Sequence, residues 1–264
     1  MIDQASSPHG NSRPIRSALV TGGAKRIGAA LVRALVADDW HVVIHYHTSH
    51  DAAAALAAKL IAAGGSVTVV AADLGARNAG ALIAAAARDA PPLALLVNSA
   101  SRFDYDSFDG FDVDSWDAHQ AVNVRAPALL TQAFAASLPA SGQGLVVNLL
   151  DAKLSSLNAD FFSYTVSKIA LQGVTELAAR AFAPRLRVNG IAPAVTMVSG
   201  PQSRENFEAA HVLNPLGRGV EVAEIVAALR FIIATPTLNA QVITLDAGQR
   251  LLGLPRDVAF MVDR

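Results

Sequence analysis

The chain of 264 residues contains no cysteine. Disulfide bonds, thiolate metal ligands and a cysteine nucleophile are therefore excluded from any account of its fold or chemistry. An excess of charge of one sign is also missing, since 21 basic and 22 acidic residues give a formal net charge of −1. A near-neutral chain without a run of lysine and arginine lacks the electrostatic footprint of a nucleic-acid-binding protein. We therefore expect a small-molecule substrate and no nucleic acid.

Long apolar runs are missing too, although 52% of the residues are hydrophobic. Polar or charged residues interrupt every apolar run well short of the roughly 20 residues that a membrane span requires. The first residues, MIDQASSPHGNSRPIRS, lack the apolar stretch of a signal peptide. We predict no membrane partner, no metal site and a cytoplasmic location, with residues 1–16 as a disordered arm before a single domain over residues 17–264.

Seven short runs rich in valine, isoleucine and leucine alternate with longer alanine-rich helical patterns. The runs read SALVT, HVVIHY, SVTVVAA, LALLVN, GLVVNLL, LRVNGIA and QVITLDA. Strands separated by helices are typical of a parallel sheet, and nearly continuous apolar strands indicate that helices cover both faces. The sequence predicts one α/β domain, a doubly wound Rossmann-type fold with a seven-stranded parallel sheet. Residues 198–211 show neither pattern and are predicted to be disordered.

A glycine-rich turn follows the first predicted strand in the stretch TGGAKRIG, which contains Thr21, Gly22, Gly23, Ile27 and Gly28. Ligands of doubly wound sheets bind at the carboxyl ends of the strands. Glycine lets the backbone approach a pyrophosphate, and the amides and the positive end of the following helix hold its charge. We predict a dinucleotide site here, the alternative being a tight turn without a ligand.

The second predicted strand ends in HYHTSH, without the carboxylate that would hold the ribose diol of NAD. This stretch offers hydrogen-bond donors instead, and two cations lie in the glycine-rich turn. Together they suit the 2'-phosphate of NADPH, and the set comprises Lys25, Arg26, His45, His47, Thr48 and Ser49. A solvated loop is the alternative for the histidines, and a surface cation at a helix start is the alternative for Arg26.

Asp73, in AADL after the third predicted strand, is also counted with the cofactor-binding residues, together with Leu74. The Asp73 carboxylate is placed either to accept a hydrogen bond from an adenine amino group or to cap the next helix.

Tyr164 and Lys168 lie four residues apart in FFSYTVSK, which places them on one face of a helix. An ammonium group beside a phenol favours the phenolate, so it lowers the pKa of the tyrosine from roughly 10 toward neutrality. The pair therefore predicts a tyrosine that acts as a general acid.

With these motifs the chain resembles the short-chain dehydrogenase/reductase family from about Arg16 to Leu251. The motifs occur in the family's order: the glycine-rich turn, VNSA, Asn123, the Tyr-x-x-x-Lys pair and RVNGIAP. The resemblance implies that Tyr164 donates a proton, that Lys168 holds the nicotinamide ribose and that Asn123 supports a water relay. A helix-buried amide is the alternative for Asn123.

The resemblance also implies further cofactor contacts and an assembly. Asn98 would steady the fourth strand beside the cofactor. The alternative for Asn98 is a simple strand-end cap, which is nearly the same role. The remaining cofactor contacts fall on Ala100, Pro193, Val195 and Thr196. Two helical patterns rich in small residues, DAHQAVNVRAPALLTQAFAASL and YTVSKIALQGVTELAARAFA, imply a homotetramer built through them. The final stretch LGLPRDVAFMVDR is expected to close an active site or an interface.

Two departures from the common family pattern are similar to the pteridine reductases. Arg26 stands where a glycine is usual, and Asp151 replaces a serine thirteen residues before Tyr164. The stretches AKRIG, HYHTS and LLDAK all match that subgroup, and Phe103 lies where the subgroup stacks an aromatic ring on the pterin. An ordinary lid residue is the alternative for Phe103. Thr48, where an arginine is usual, is a mismatch that points to weaker phosphate affinity, and Ser99 is a second mismatch.

Three functions therefore stand as hypotheses. The first is an NADPH-dependent reductase of a dihydropterin, dihydromonapterin or dihydrofolate type of substrate. The second is a carbonyl or 3-oxoacyl thioester reductase of the same family, and the third is a nucleotide-sensing protein without turnover. Asp151 favours the first over the second, because a carboxyl group can pair with a ring N–H or protonate a ring nitrogen. The intact Tyr164, Lys168 and Asn123 count against the third. Its alternative role is a cap for the loop AKLSS.

Overall fold

The structure is a computed structural model that describes residues 16–199 and 202–262. All seven predicted strands are present and pair in parallel in the order β3-β2-β1-β4-β5-β6-β7. They comprise β1 Ser17–Val20, β2 His41–Tyr46, β3 Val67–Ala71, β4 Leu93–Asn98, β5 Gly144–Leu149, β6 Leu186–Pro193 and β7 Val242–Leu245. The doubly wound α/β prediction is confirmed.

Helices connect the strands as parallel pairing requires. Those described are α1 Arg26–Ala37, α2 His50–Ala62, α3 Ala81–Ala87, α4 Val113–Gln120, α5 Ala126–Ser137, α6 Phe162–Phe182, α7 Arg204–Val212 and α8 Val222–Ala234, with a π-helical turn over Ala121–Arg125. No described helix is both long and apolar enough to cross a membrane.

Both faces of the sheet are buried, as the apolar strands predict. Successive residues of β1 point to opposite sides, so Val20 packs in the cluster that contains α1 and α8, whereas Leu19 packs in the cluster that contains α5. The edge strands β3 and β7 are only partly buried. The core thus lies in two layers around the central strands, and each fully buried leucine or valine contributes about 1.5–3 kcal/mol of transfer free energy.

The predicted disorder of residues 198–211 is wrong in its second half. Helix α7 begins at Arg204, and Ser203 caps it by accepting a hydrogen bond from the amide of Asn206 at 3.1 Å. In the predicted N-terminal arm, residues 1–15 lie outside the described residues. Arg16 is described, and its guanidinium lies over the ring of Trp40 at 4.1 Å.

The strand order reverses direction between β1 and β4, which are neighbours in the sheet. A crevice forms at such a switch point, beside the carboxyl ends of the strands. The glycine-rich turn after β1 and the segments after β4, β5 and β6 meet there, so the fold brings four separate motifs of the sequence to one edge.

Candidate active site

A cleft of about 1320 Å³ occupies this edge of the sheet. Many of the predicted site residues line it, from the glycine-rich turn at one end to the Tyr164 hydroxyl at the other: Gly22, Arg26, Ile27, Gly28, Ala100, Phe103, Asp151, Tyr164, Lys168, Pro193, Val195 and Thr196. The structure therefore unites the predicted cofactor turn with the predicted catalytic group.

The glycine-rich turn is shaped by close backbone contacts. A Cβ atom added to Gly28 would lie 2.2 Å from the carbonyl oxygen of Gly22, and one added to Gly22 would lie 2.9 Å from the Cα of Ala100. Gly22 also has a φ of 62°, a left-handed conformation that favours glycine. Side chains are thus excluded from the turn, which leaves its backbone open to a phosphate.

Thr21 and His45 hold this turn rather than line the cleft. The hydroxyl oxygen of Thr21 accepts hydrogen bonds from the amides of Ser99 and Ala100, both at 3.0 Å. The imidazole of His45 accepts from the Gly22 amide at 3.1 Å and reaches the Ala72 carbonyl at 3.1 Å with its other nitrogen. Burial lowers the pKa of His45 to about 4, so the ring is neutral. The suggestion that His45 donates to a phosphate is therefore wrong.

Arg26 begins α1 with a φ of 52°. Its guanidinium crosses the cleft and donates a 2.7 Å hydrogen bond to the carbonyl of Val198, in the segment after β6. Left-handed backbone in a residue with a side chain costs of order 1–3 kcal/mol and persists where the surroundings enforce it. The glycine that is usual at this position in the family is compatible with this backbone conformation.

The residues after β2 and β3 lie beside one another but outside the cleft. His47, Thr48 and Ser49 form the surface loop before α2, and the His47 ring lies 3.9 Å from the Asp73 carboxylate. Asp73 accepts from the amide of Gly75 at 2.7 Å, and the next helix begins only at Ala81. Asp73 therefore caps a local turn and not that helix.

Leu74, also counted with the cofactor-binding residues, is 5% exposed and packs in the core, and its contact with the cofactor stays a prediction.

Asn98 and Asn123 are both buried. Asn98, the last residue of β4, donates to the side chain of Asn148 in β5 at 2.8 Å, which joins the two strands at the edge of the site. Asn123 lies in the π-helical turn and donates to Ser167 and to the Arg102 carbonyl, both at 2.9 Å. These contacts are those of a helix-buried amide, and the water relay stays a prediction.

Asp151, Tyr164 and Lys168 lie close together at the substrate end of the cleft. The hydroxyl of Tyr164 donates to one carboxylate oxygen of Asp151 at 2.7 Å. The other carboxylate oxygen accepts from the amide of Lys153 at 2.8 Å. Lys168 donates to the carbonyl of Leu149, the last residue of β5, at 2.7 Å. The two roles considered for Asp151 therefore coexist, since one oxygen caps the loop and the other faces the tyrosine.

The protonation states of this group follow from burial. Desolvation raises the pKa of Asp151, although hydrogen bonds from Tyr164 and Lys153 oppose it. Burial, followed by the nearby Asp151 charge, raises the pKa of Tyr164 well above its ordinary value. Burial lowers the pKa of Lys168 to about 8. The expected lowering of the Tyr164 pKa by Lys168 is therefore reversed here, first because the phenol is buried and second because it lies beside the Asp151 carboxylate that accepts its hydrogen bond.

Aromatic rings form one wall of the cleft beside this group. Phe103 stacks on Phe161 with ring centroids 4.4 Å apart and meets the Tyr164 ring edge-on at 4.6 Å. Tyr105 meets Phe161 edge-on at 5.2 Å. Flat rings packed in this way suit a flat, apolar-faced ligand.

Several residues of the site had no place in the sequence prediction. Phe161 lies directly before FSYTVSK, and Lys153 lies two residues after Asp151, so proximity to the motifs was their only signal. Asp160 had no signal at all, and Arg256 and Phe260 had only the expectation that the last residues close a site. In the structure Arg256 and Phe260 line the cleft.

Comparisons with known proteins agree with this geometry. Residues 16–208 match the model of the short chain dehydrogenase family. The crystal structure of FolM Alternative dihydrofolate reductase 1 from Brucella suis, in complex with NADP, aligns with a TM-score of 0.87 and 40% identity over 90% of this chain and 96% of that one. A short chain dehydrogenase from Burkholderia cenocepacia, also in complex with NADP, aligns with a TM-score of 0.82 and 30% identity over 90% and 98% of the two chains.

Pteridine reductase 1 from Leishmania tarentolae is 33% identical over 221 residues, which cover 69% of this chain and 76% of that protein. The glycine-rich turn, the strand order and the Tyr164–Lys168 pair thus occur in a chain whose sequence matches one family over most of its length. The chain belongs to the short chain dehydrogenase family.

Proposed function

We propose that the protein is an NADPH-dependent reductase that transfers hydride to a pterin-type substrate, namely a dihydropterin, dihydromonapterin or dihydrofolate. The observation that carries this proposal is the Asp151 carboxyl group in direct hydrogen bond with the Tyr164 hydroxyl. A carboxyl group at this place suits a nitrogen heterocycle, because it can accept a ring N–H or protonate a ring nitrogen. The similarity to pteridine reductase 1 and to the FolM structure supports the same substrate class.

The residues of the cleft fit a nicotinamide dinucleotide. Gly22 and Gly28 pack so closely against backbone that neither has room for a Cβ, and the first residues of α1, Arg26, Ile27 and Gly28, line the cleft, so that backbone amides are available to a pyrophosphate. When bound there, NADPH supplies the hydride. Its 2'-phosphate would be held by Arg26, His47, Thr48 and Ser49, its adenine edge by Asp73, and its carboxamide end by Val195 and Thr196.

The protein's own part in the reaction is to hold the substrate ring and to deliver a proton. Lys168, fixed on the Leu149 carbonyl, is placed to hold the nicotinamide ribose. Phe103 offers its ring to the flat face of the pterin. Tyr164 and Asp151 act as one proton-delivering unit: a protonated Asp151 gives its proton to a ring nitrogen, the carboxylate left behind accepts the 2.7 Å hydrogen bond from Tyr164, and solvent returns a proton to the pair.

The test is to follow the loss of NADPH absorbance with the purified protein and one of two substrates, a dihydropterin or an acetoacetyl thioester. We expect turnover with the dihydropterin, and Tyr164→Phe is the matched control that retains the fold and the ring but loses the proton. Turnover with the thioester alone would identify a carbonyl reductase. Consumption of NADPH with neither substrate would contradict a reductase of either kind.

A further inference from the structure

The C-terminal segment Leu254–Phe260 runs along the substrate end of the cleft. Six of its residues line the cleft together with Asp151 and Phe161, namely Leu254, Arg256, Asp257, Val258, Ala259 and Phe260. Helix α7 holds the segment through Asn206, whose side chain donates to the Ala259 carbonyl at 2.8 Å. The segment therefore forms an outer wall of the cleft.

Asp160 fastens this wall. Its side chain is 5% exposed, and both carboxylate oxygens receive the guanidinium of Arg256 at 2.7–2.9 Å. The amide of Asp257 donates to the same carboxylate at 2.7 Å. A two-point contact between arginine and a carboxylate fixes direction as well as distance. The position of the segment is thus set by the turn that precedes α6.

Lys153 also binds the turn that precedes α6. Its ammonium group donates to the main-chain carbonyl of Asp160 at 2.5 Å and lies 3.5 Å from the carboxylate of Asp257. The backbone amide of Lys153 is the group that donates to Asp151. Two cations and two carboxylates therefore join the loop of Asp151, the turn before α6 and the C-terminal segment.

The turn and the segment present two stacked rings to the cleft. Phe161, with a left-handed φ of 53°, follows Asp160 directly. The ring of Phe260 stacks on it at 6.0 Å and meets Tyr105 edge-on at 5.4 Å. Since Phe161 also stacks on Phe103, any displacement of the segment changes the aromatic wall beside Tyr164.

We propose that Arg256, acting through Asp160, is a positioning residue that holds Leu254–Phe260 as the outer wall of the substrate site and presents Phe260 to the substrate ring. The identity of that ring rests on the proposed function. Arg256 touches neither Asp151 nor Tyr164 in the described contacts, so its effect is on substrate binding and not on the proton transfer.

Arg256→Met in the full-length protein tests this role. We expect the KM for the dihydropterin to rise about tenfold or more while kcat stays within about twofold, as for a lost positioning contact. The affinity for NADPH should not change. Arg256→Lys should restore only part of the loss, since lysine cannot make the two-point contact. Arg230→Met is the matched control, because Arg230 on α8 makes the same kind of contact with Asp38 at the end of α1.

Hydrogen exchange followed by mass spectrometry gives a readout that needs no substrate. Exchange of the amides of residues 254–260 should accelerate about tenfold in Arg256→Met and stay unchanged in Arg230→Met. Unchanged exchange together with an unchanged KM would overturn the proposal. Faster exchange with an unchanged KM would show that the segment is not a wall of the substrate site, which also contradicts it. If the unaltered protein reduces no pterin, the proposed function fails while the exchange result still tests the contact of Arg256.

Phe260→Ala separates positioning from general loosening. If Arg256 acts by placing Phe260, the double variant should raise the KM no more than the larger single change. Additive effects would show that Arg256 and Phe260 act independently, which contradicts the proposed route.

Discussion

Asp151 sits where a buried strand ends, and its surroundings explain why an acid is tolerated there. Two donors reach its two oxygens, one from Lys153 and one from Tyr164. A half-buried carboxyl group with both oxygens bonded avoids the cost of an unpaired polar atom, which is about 1–3 kcal/mol. The same burial raises its pKa. Asp151 is therefore both a structural cap and a group that retains a proton more readily than an exposed aspartate.

The pair Asp151 and Tyr164 should fail as a unit. We expect Asp151→Asn and Tyr164→Phe each to lower turnover about a hundredfold or more, the range for a lost general acid. The double variant should cost much less than the product of the two. Steady-state rates with a saturating dihydropterin are the measurement. Full pterin turnover in Asp151→Ser would reduce the acid to a cap and remove the main support for a pterin substrate.

The preference for NADPH over NADH also depends on single side chains, above all on Arg26. We expect NADPH to be used at least about tenfold more efficiently than NADH, roughly 1.4 kcal/mol, from charge-assisted contacts to the 2'-phosphate. Arg26→Gly should raise the KM for NADPH far more than that for NADH. Because Arg26 also bonds to Val198, equal losses with both coenzymes would assign it to the cleft wall, and equal efficiency of the two coenzymes in the unaltered protein would refute the preference.

At the scale of elements, the glycine-rich turn depends on contacts that leave no room for a methyl group. Gly28→Ala would place a Cβ 2.2 Å from a backbone oxygen, so we expect a loss of about 1–3 kcal/mol in the free energy of unfolding and much weaker NADPH binding. Gly173→Ala is the control, because a Cβ there meets nothing within 4 Å. Urea denaturation and coenzyme titration of both variants test this. Equal NADPH affinity in the two would contradict the close-packed turn.

The strands and most helices follow from local sequence, whereas parts of the site do not. Apolar runs such as GLVVNLL predict buried parallel strands directly, and the Tyr164–Lys168 spacing predicts a shared helix face. Helix α7 was missed because it is short and polar, although Ser203 followed by an acid in the first turn is a helix-start signal. The contact of Arg256 with Asp160 spans 96 positions of the chain. Nothing near either residue predicts a partner so distant, since only the complete fold brings them together.

At the scale of the whole molecule, the buried Lys168 is expected to reduce stability. Its pKa falls from 10.5 to about 8 in the folded protein. The charged form is thus disfavoured by folding, so the penalty applies in full below about pH 8 and disappears as the pH rises past the ordinary value. A shift of this size corresponds to about 3 kcal/mol, of which the hydrogen bond to Leu149 offsets about 1.

Lys168→Met should therefore be the more stable protein near neutral pH, by about 2 kcal/mol, and the difference should shrink near pH 10. Denaturation of the coenzyme-free proteins at both pH values checks this, with the loss of activity as the accompanying cost. A difference that grows with pH would have the wrong sign and would show that the amine is not buried in its charged form.

The predicted homotetramer also belongs to this scale. On α6, Ile169 and Leu177 are 45% and 68% exposed, lie on the same helix face as Gly173, and leave an apolar stripe open. We expect light scattering at micromolar concentration to report a tetramer, and Leu177→Lys to shift it to smaller species. Ile61→Lys, 56% exposed on α2 and outside both helical patterns, is the control. If the unaltered protein is a monomer, the prediction of a tetramer is wrong.

The strand order has a consequence for how the protein folds during its synthesis. Strand β1 pairs with β4, about 76 positions away. The hydroxyl of Thr21 donates to the Val97 carbonyl in β4 and accepts from the amides of Ser99 and Ala100, which follow β4. During synthesis the glycine-rich turn therefore emerges long before the segments that shape it. Contacts between such distant parts of a chain form slowly. A nascent chain that ends before β4 lacks the contacts that shape this turn, so we expect coenzyme affinity to arise only after β4 has emerged and paired with β1.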